Sequence, residues 1–571
     1  MFRSSRVAAC AALPAVLLLL SLAGCGGDDD VSPGLPQLAA AQAATYTGDC
    51  AALAARIGSP ANTTITAAST VAAGTLTLAG QPIAEHCLVT GRMHERVSAV
   101  DGKSYAISFE MRLPRNWNGR FYHQGNGGLD GNVVTANGTL GGGPLTSALV
   151  QGFAVLSSDA GHAGALGPTY GIDPQARLDY GYQAVGKLTP MAKGVIQATY
   201  GKAPDRSYFG GCSNGGRHAM VTAARYSDQY DGILAGAPGY NLPKAAVANI
   251  FGAQHYATVA TDPADLSTAF TPAERTLVAN AVLAKCDALD GATDGLVQDT
   301  NACQAAFSLA NDVPTCSGAR DGTCLSAAQK SAIAPIFSGA TTSTGAPVYA
   351  SFPYDSGLAA AGIAFWEFTA PLALDSGSVG FVFKVPPESA SGFNGPAFSL
   401  SANIDTLVAQ INATDATYTE SAMSFMTPPH PTDLSTLKNR GGKMLVYHGV
   451  SDPIFSVNDS AAWYDGLRTA NGGDASNFAR FFRVPGMGHC SGGPATDQFD
   501  VLSPLVAWVE QGQAPDRIVA SARGAGNAGG VNAEVPAAWA ANRSRPLCPY
   551  PKVARYNGTG SLESADSFTC Q

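Results

Sequence analysis

Charge is scarce in this sequence: only 13% of its residues are Asp, Glu, Lys or Arg. The net charge is −9 and basic residues nowhere gather into a stripe, which excludes a nucleic-acid partner. No two cysteines stand in C-x₂-C spacing, so zinc coordination has little support. The apolar run from Val7 to Leu22 is too short for a bilayer span. Glycine and proline, by contrast, are plentiful, at 65 and 35, beside a 46% hydrophobic content. That balance describes a globular, loop-rich chain rather than a disordered or coiled one. Its 571 residues suffice for a large core and more than one structural unit.

Arg3 and Arg6 ahead of the apolar run make residues 1–25 an export signal. It ends in Leu22-Ala23-Gly24-Cys25, which resembles a bacterial lipoprotein box in which Cys25 is lipidated and holds the chain to the outer membrane. Cleavage of an ordinary signal peptide at the same small residues is the other reading, and leaves the chain periplasmic or extracellular. A lipid of this kind is the only membrane contact expected. Residues 26–44 are low in complexity and read as a flexible tether. Setting Cys10 and Cys25 aside, ten of the 12 cysteines remain, and an even number in an exported chain points to disulfides.

Strand signals alternate with helical ones up to about residue 240. Tyr105 to Leu113 has a clean period of two, Thr75 to Leu78 and Cys87 to Val89 read as shorter strands, and Phe153 to Asp159 as a buried one. Tyr180 to Tyr200 reads as a helix, and Gly232 to Pro238 as a further parallel strand and its exit. The fold class is therefore α/β, a doubly wound and mostly parallel sheet. From 241 to 431 the alternation gives way to helical patches, cysteines and Gly/Ser/Pro loops, which reads as an inserted lid. The sheet resumes at Lys443, so the core comprises 45–240 and 432–571.

Between strand and helix stands Gly211-Cys212-Ser213-Asn214-Gly215, a G-x-S-x-G turn. Glycine at both ends permits a tight bend that exposes the Ser213 hydroxyl above the sheet, and the helix behind it aims free N–H groups at an oxyanion. Two later strands end in loops carrying Asp452 and His489. Ser, Asp, His is the chain order of α/β-hydrolases. Ser213 would be the nucleophile, His489 its base and Asp452 the orienting acid. Oxyanion donors would be the backbone N–H of Asn214 and of Gly127 or Gly128, the latter two in Gly125-Asn126-Gly127-Gly128-Leu129-Asp130-Gly131. A plain hairpin turn accounts for that glycine-rich stretch equally well. If Ser213 and His489 meet, Cys212 and Cys490 beside them come within disulfide range, roughly 4.4–6.8 Å between Cα atoms. Two readings of other classes stand beside this one: a lipid-anchored binding protein on an inactive esterase fold, and a metallohydrolase using the acidic cluster at 287–294.

The Cys-Ser, Asp, His-Cys arrangement of Cys212-Ser213, Asp452 and His489-Cys490 resembles that of the tannase and feruloyl esterase family, from about Cys50 to Cys570. The resemblance implies an α/β-hydrolase core with a lid, and an esterase acting on small aromatic esters of gallate, ferulate or terephthalate type. It also implies five disulfides: Cys50 with Cys87, Cys212 with Cys490, Cys286 with Cys303, Cys316 with Cys324, and Cys548 with Cys570. It places a structural calcium in the lid on Asp287, Asp290, Asp294 and the carbonyls of Ala292 and Leu296. Three closely spaced carboxylates among glycines suit such a hard cation, although the spacing is not that of an EF-hand and a solvated Asp-Gly turn is the alternative.

For the substrate, the resemblance implies contacts at His448 and Phe455, a loop contact being the other reading of His448, and lid aromatics such as Trp366 would cover the acyl ring, with core packing as the other reading. For terephthalate monoesters the resemblance implies a lid arginine that binds the free carboxylate. None lies between Arg320 and Arg440, where Lys330, Lys384 and Lys438 are the only cations, and lysine does not reproduce bidentate recognition.

Overall fold

The computed structural model describes residues 34–140 and 144–571. The export signal, Cys10, Cys25 and the start of the tether lie outside the described residues.

Nine strands form one sheet: β1 (Thr63–Val71), β2 (His86–Val97), β3 (Ser104–Pro114), β4 (Arg120–Gly125), β5 (Ala154–Ser158), β6 (Arg206–Cys212), β7 (Gly232–Gly236), β8 (Lys443–Gly449) and β9 (Ala479–Val484). Their spatial order is β9-β8-β7-β6-β4-β5-β3-β2-β1. From β5 through β4 and β6 to β9 every pairing is parallel, while β1, β2 and β3 add antiparallel pairings at the other side. The helices that matter below are α1 (Ala184–Tyr200), α2 (Asn214–Arg225), α3 (Leu242–Ala257), α4 (Pro272–Cys286), α5 (Val457–Ala470) and α6 (Leu502–Gln511).

Both faces of the parallel part are covered, so its strands are apolar at nearly every position. Phe121, Phe209, Ile233, Val446 and Phe481 enter one core, and their chain neighbours Tyr122, Tyr208, Leu234, Leu445 and Phe482 enter the other. Strand β1 is missing from the sequence reading because Thr-Thr-Ile-Thr-Ala-Ala-Ser-Thr-Val is a half-exposed edge strand with few large apolar residues. Of the expected strand at 75–78 only Thr77–Leu78 pairs, in a two-residue ladder with Gln81–Pro82.

The tether expectation needs correction over its last residues. Gln37 Nε2 donates to the Val509 carbonyl, Ala41 N–H to Glu510 and Gln42 N–H to Asp205, and Ala44–Thr45 pairs with Asn116–Trp117. With their backbone groups thus satisfied by the core, these residues are docked on it.

The stretch from 241 to 431 adds no strand to the nine-stranded sheet. It builds cores of its own, one around Tyr256, Phe270, Val282, Phe337 and Phe368, another in which Phe381, Phe383 and Phe425 join Tyr170, Tyr180 and Phe455. Between Phe365 and Phe383 its backbone winds in wide π-helical turns, a form often found near functional sites. Residues 35–571 form one compact unit.

Candidate active site

Strand β6 ends at Cys212 and helix α2 begins at Asn214, leaving Ser213 alone in the turn at φ 65°, ψ −126°. Positive φ at a residue with a Cβ costs free energy, and the turn is held by Ser213 N–H donating to the Gly236 carbonyl at 3.0 Å. Glycine is obligatory beside it: a Cβ on Gly211 would stand 2.5 Å from the Gly125 carbonyl oxygen and 2.7 Å from Gly215 Cα. Strand, helix and glycine-rich loop therefore meet backbone to backbone.

His489 Nε2 lies 2.8 Å from Ser213 Oγ, and its Nδ1 lies 2.7 Å from Asp452 Oδ2. Asp452 Oδ1 accepts from the N–H groups of Ile454 and Phe455 at 3.0 and 3.1 Å. Burial alone would raise the Asp452 carboxyl, but the neighbouring His489 charge and hydrogen bonds from His448 and His489 hold it well below the usual carboxylate range. It is thus a carboxylate over the whole working pH range, and an Nδ1–H tautomer of His489 follows, with Nε2 free to accept the Ser213 proton. The Cys212–Cys490 disulfide joins the residues next to Ser213 and His489 with Cα atoms 6.1 Å apart. The structure also contains Cys50–Cys87, Cys286–Cys303, Cys316–Cys324 and Cys548–Cys570.

Gly127 lies against Ser213, its Cβ position 3.9 Å from Ser213 Cβ, and Gly128 has φ +62°. The loop is held from behind by residues whose part in it was not read from the sequence. Asp130 accepts from Asn214 Nδ2 at 2.7 Å and from His218 Nε2 at 2.9 Å, and its N–H donates to the Gly127 carbonyl. Arg217, wholly buried, donates to Asn214 Oδ1 and to the carbonyls of Tyr180, Gly181 and Met426. Burial pushes Asp130 up to about 7, and burial followed by Arg217 lowers His218, so the His218 ring is neutral while the Asp130 carboxyl changes charge near neutrality. The signal that could have found them is Asp130 inside the glycine-rich loop and Arg217-His218 one turn past the elbow. His162 stacks on Tyr170 at 3.5 Å with Nε2 on the Leu129 carbonyl.

The expected substrate contact at His448 needs correction. The ring is fully buried behind Asp452, with Nδ1 2.8 Å from Ser460 Oγ and Nε2 3.2 Å from Asp452 Oδ2 and 2.9 Å from the Phe455 carbonyl. Both nitrogens are occupied and no face is open to a ligand. Phe455 and Trp366 do stand at the base: their rings lie edge-on to His489, centroids 5.3 and 5.0 Å away. The lysines between Arg320 and Arg440 are engaged elsewhere, Lys384 with Glu388, Lys438 with Asn471 and Lys330 with Thr315.

In the acidic loop after α4, Asp287 accepts from the N–H groups of Asp294 and Gly295, Asp290 from Ala292 and Asp294 from Leu296. Asp294 also pairs with Arg545. Asp290 Oδ2 is buried without a hydrogen-bond partner, and burial followed by the charges of Asp294 and Asp287 pushes this carboxyl up to about 7. Among the described residues no three His, Cys, Asp or Glu side chains converge as a metal cluster. The donor chemistry and the orphaned oxygen fit a hard cation; the side-chain convergence does not by itself define one.

A match to the tannase and feruloyl esterase family covers residues 87–571. The chain is 39% identical over 532 residues to the mono(2-hydroxyethyl) terephthalate hydrolase of Piscinibacter sakaiensis, covering 86% of both. Its fold is similar to that of feruloyl esterase B from Aspergillus oryzae, at a TM-score of 0.72 and 26% identity, over 91% of this chain and 99% of that one. The tannin acyl hydrolase of Aspergillus niger shares the fold at a TM-score of 0.65 and 20% identity, over 91% and 98%.

Proposed function

This chain belongs to the tannase and feruloyl esterase family, and from that premise we propose that it hydrolyses esters of aromatic carboxylic acids with Ser213, His489 and Asp452 as its catalytic triad. The observation that carries this is the unbroken relay from Ser213 Oγ through the His489 ring to Asp452, with steps of 2.8 and 2.7 Å.

Ser213 Oγ attacks the ester carbonyl carbon while His489 Nε2 takes the hydroxyl proton, and Asp452 stabilises the imidazolium so formed. The carbonyl oxygen becomes an oxyanion facing the N–H groups of Asn214 and of Gly127 or Gly128. Such donors are worth about 10²–10³ in rate each. Collapse breaks the ester C–O bond, and the departing alkoxide takes the proton from His489. Water then gives its proton to His489 and attacks the acyl carbon, releasing the acid and returning the proton to Ser213 Oγ. The edge-on rings of Trp366 and Phe455 support a planar, apolar substrate beside the base.

The acyl group is of feruloyl, galloyl or terephthaloyl type. Since Lys330, Lys384 and Lys438 are engaged and the lid lacks arginine between 320 and 440, uncharged aromatic acyl esters are preferred over a terephthalate monoester. Turnover of methyl ferulate, methyl gallate and mono(2-hydroxyethyl) terephthalate tests the reading, with Ser213→Ala as control. Expected is hydrolysis of at least one aromatic ester, lost by about 10³-fold or more in the variant. A wild type inert toward all three, or a variant as active as wild type, would overturn it.

Calcium in the 287–296 loop is part of the same proposal, supported by the three acidic side chains, the carbonyls of Ala292 and Leu296, and the orphaned Asp290 oxygen. Its contribution is to hold the loop rather than to react. The five disulfides identify an exported chain. A lipid on Cys25 holding it to a membrane is supported by Leu22-Ala23-Gly24-Cys25, and the mass of the mature N-terminal peptide tests it.

A further inference from the structure

Trp366 approaches His489 from a segment that is fastened at two points, each to a different loop of the triad. At the first, Asp355, wholly buried, accepts from Ser451 Oγ at 2.8 Å and from Gly357 N–H at 3.2 Å, and Gly357 N–H also reaches Ser451 Oγ at 3.1 Å. Ser451 is the residue before Asp452, and its own N–H donates to the Met487 carbonyl at 3.0 Å, two residues before His489. The approach is close enough that a Cβ on Gly357 would stand 2.3 Å from Ser451 Oγ and 2.8 Å from the Gly486 carbonyl oxygen. At the second point, Glu534 accepts from Ala361 N–H at 2.6 Å through Oε1 and from Gly493 N–H at 2.5 Å through Oε2. Gly493 lies on the loop that carries His489, and Asn532 Nδ2 holds its carbonyl at 2.9 Å. Five residues past Ala361 comes Trp366.

We propose that Asp355 and Glu534 are positioning residues for ester selection: they strap the 355–366 segment to the loops of Asp452 and His489, so that the Trp366 ring stands edge-on to the base only while both fasteners hold. The inference rests on the esterase reading above and extends it to the residues that set the preference for a planar aromatic acyl group. Neither carboxylate touches substrate. Each acts through Trp366, and a ring held in advance is one the substrate need not order on binding. At the first fastener the Asp355 side chain on the strap accepts from the Ser451 hydroxyl, which in turn takes the Gly357 N–H; at the second the Ala361 N–H of the strap donates to Glu534.

Two measurements test this together. Asp355→Ala and Glu534→Ala are expected to raise KM for methyl ferulate about 5–20-fold with kcat within about threefold, and to leave kcat/KM for p-nitrophenyl acetate within about twofold, because a small acyl group gains little from Trp366. Asp355→Asn keeps an acceptor oxygen toward Ser451 and is expected to restore KM. In the Trp366→Ala background neither substitution should add more than about twofold, the signature of groups acting through one ring. Equal losses for acetate and ferulate, or effects that multiply with Trp366→Ala, would overturn the proposal. Trp366 emission, taken as the difference between each chain and its Trp366→Phe partner, reads the strap without any turnover. A red shift is expected in Asp355→Ala and Glu534→Ala. An unshifted spectrum sinks the strap, whereas a shift in a protein that cleaves no ester leaves the strap standing and removes only the esterase reading.

Discussion

His448 sits four positions before Asp452 on β8, and its two nitrogens find Ser460 on one side and the triad acid with the Phe455 carbonyl on the other. With two acceptor oxygens facing Nε2, that atom carries the proton and Nδ1 accepts from the Ser460 hydroxyl. A hydrogen bond to a charged group contributes about 1.5–3 kcal/mol. His448→Ala is therefore expected to lower kcat about 10–100-fold for all esters alike, and His448→Gln, whose amide can donate toward Asp452, to recover part of it. A kcat within twofold of wild type in the alanine variant would remove His448 from the relay. Sequence and structure part ways at this residue. Ser213, Asp452 and His489 were legible because each lies in the turn or loop that follows a strand and their order along the chain is informative. His448 was read as a substrate contact because proximity in sequence does not tell which side of Asp452 a ring takes.

The loop after α4 links elements far apart in the chain. Cys286 is joined to Cys303, Arg543 donates to the Asp294 carbonyl, Arg545 pairs with the Asp294 carboxylate, and Arg555 donates to the Leu289 carbonyl. Leu296 at its end packs under Gly486, with Cδ2 3.3 Å from where a Cβ on that glycine would be. A bound cation would offset the repulsion among Asp287, Asp290 and Asp294, and removing it leaves that repulsion uncompensated. Chelation is expected to lower the melting temperature by roughly 3–5 °C while kcat below the transition stays within threefold. An unchanged melt counts against the ion. A kcat lost at temperatures where the fold persists would make the Leu296–Gly486 contact a functional coupling. At the same scale, the elbow was readable from Gly211 and Gly215, since glycine spacing reports a backbone constraint directly. Edge strand β1 was not, because its half-exposed Thr and Ala carry no strong period.

Across the whole molecule, buried titratable groups of both kinds set the pH response. Burial pushes Asp459 up to about 6, Asp130, Asp159 and Glu367 up to about 7 and Asp375 up to about 8, and lowers His123 to about 3 and His162 to about 4, with His218 lowered as well. A carboxyl whose folded value is raised stabilises fully below its unfolded value near 4 and loses that contribution as pH rises through the folded value. A histidine whose folded value is depressed stabilises above its unfolded value near 6.5 and loses it as pH falls. Between about pH 4 and 6.5 the two sets oppose each other, and above 6.5 only the carboxyls still change. Because the raised carboxyls outnumber the depressed histidines, melting temperature is expected to fall gently from pH 5 to 6.5 and by about a further 2–4 °C between 6.5 and 8.5. A melt unchanged over that upper interval would show that these carboxyls are already ionised in the folded protein. The sequence by itself determined the α/β fold class and pointed to Ser213, Asp452 and His489 after successive strands and to a Cys212–Cys490 bridge beside them, because those depend on local period, turn chemistry and chain order. Only the tertiary structure decided what Asp130, His218, Asp355 and Glu534 do. Each meets its partner across scores of residues of chain, and a carboxylate's role follows from the donor that burial puts in front of it.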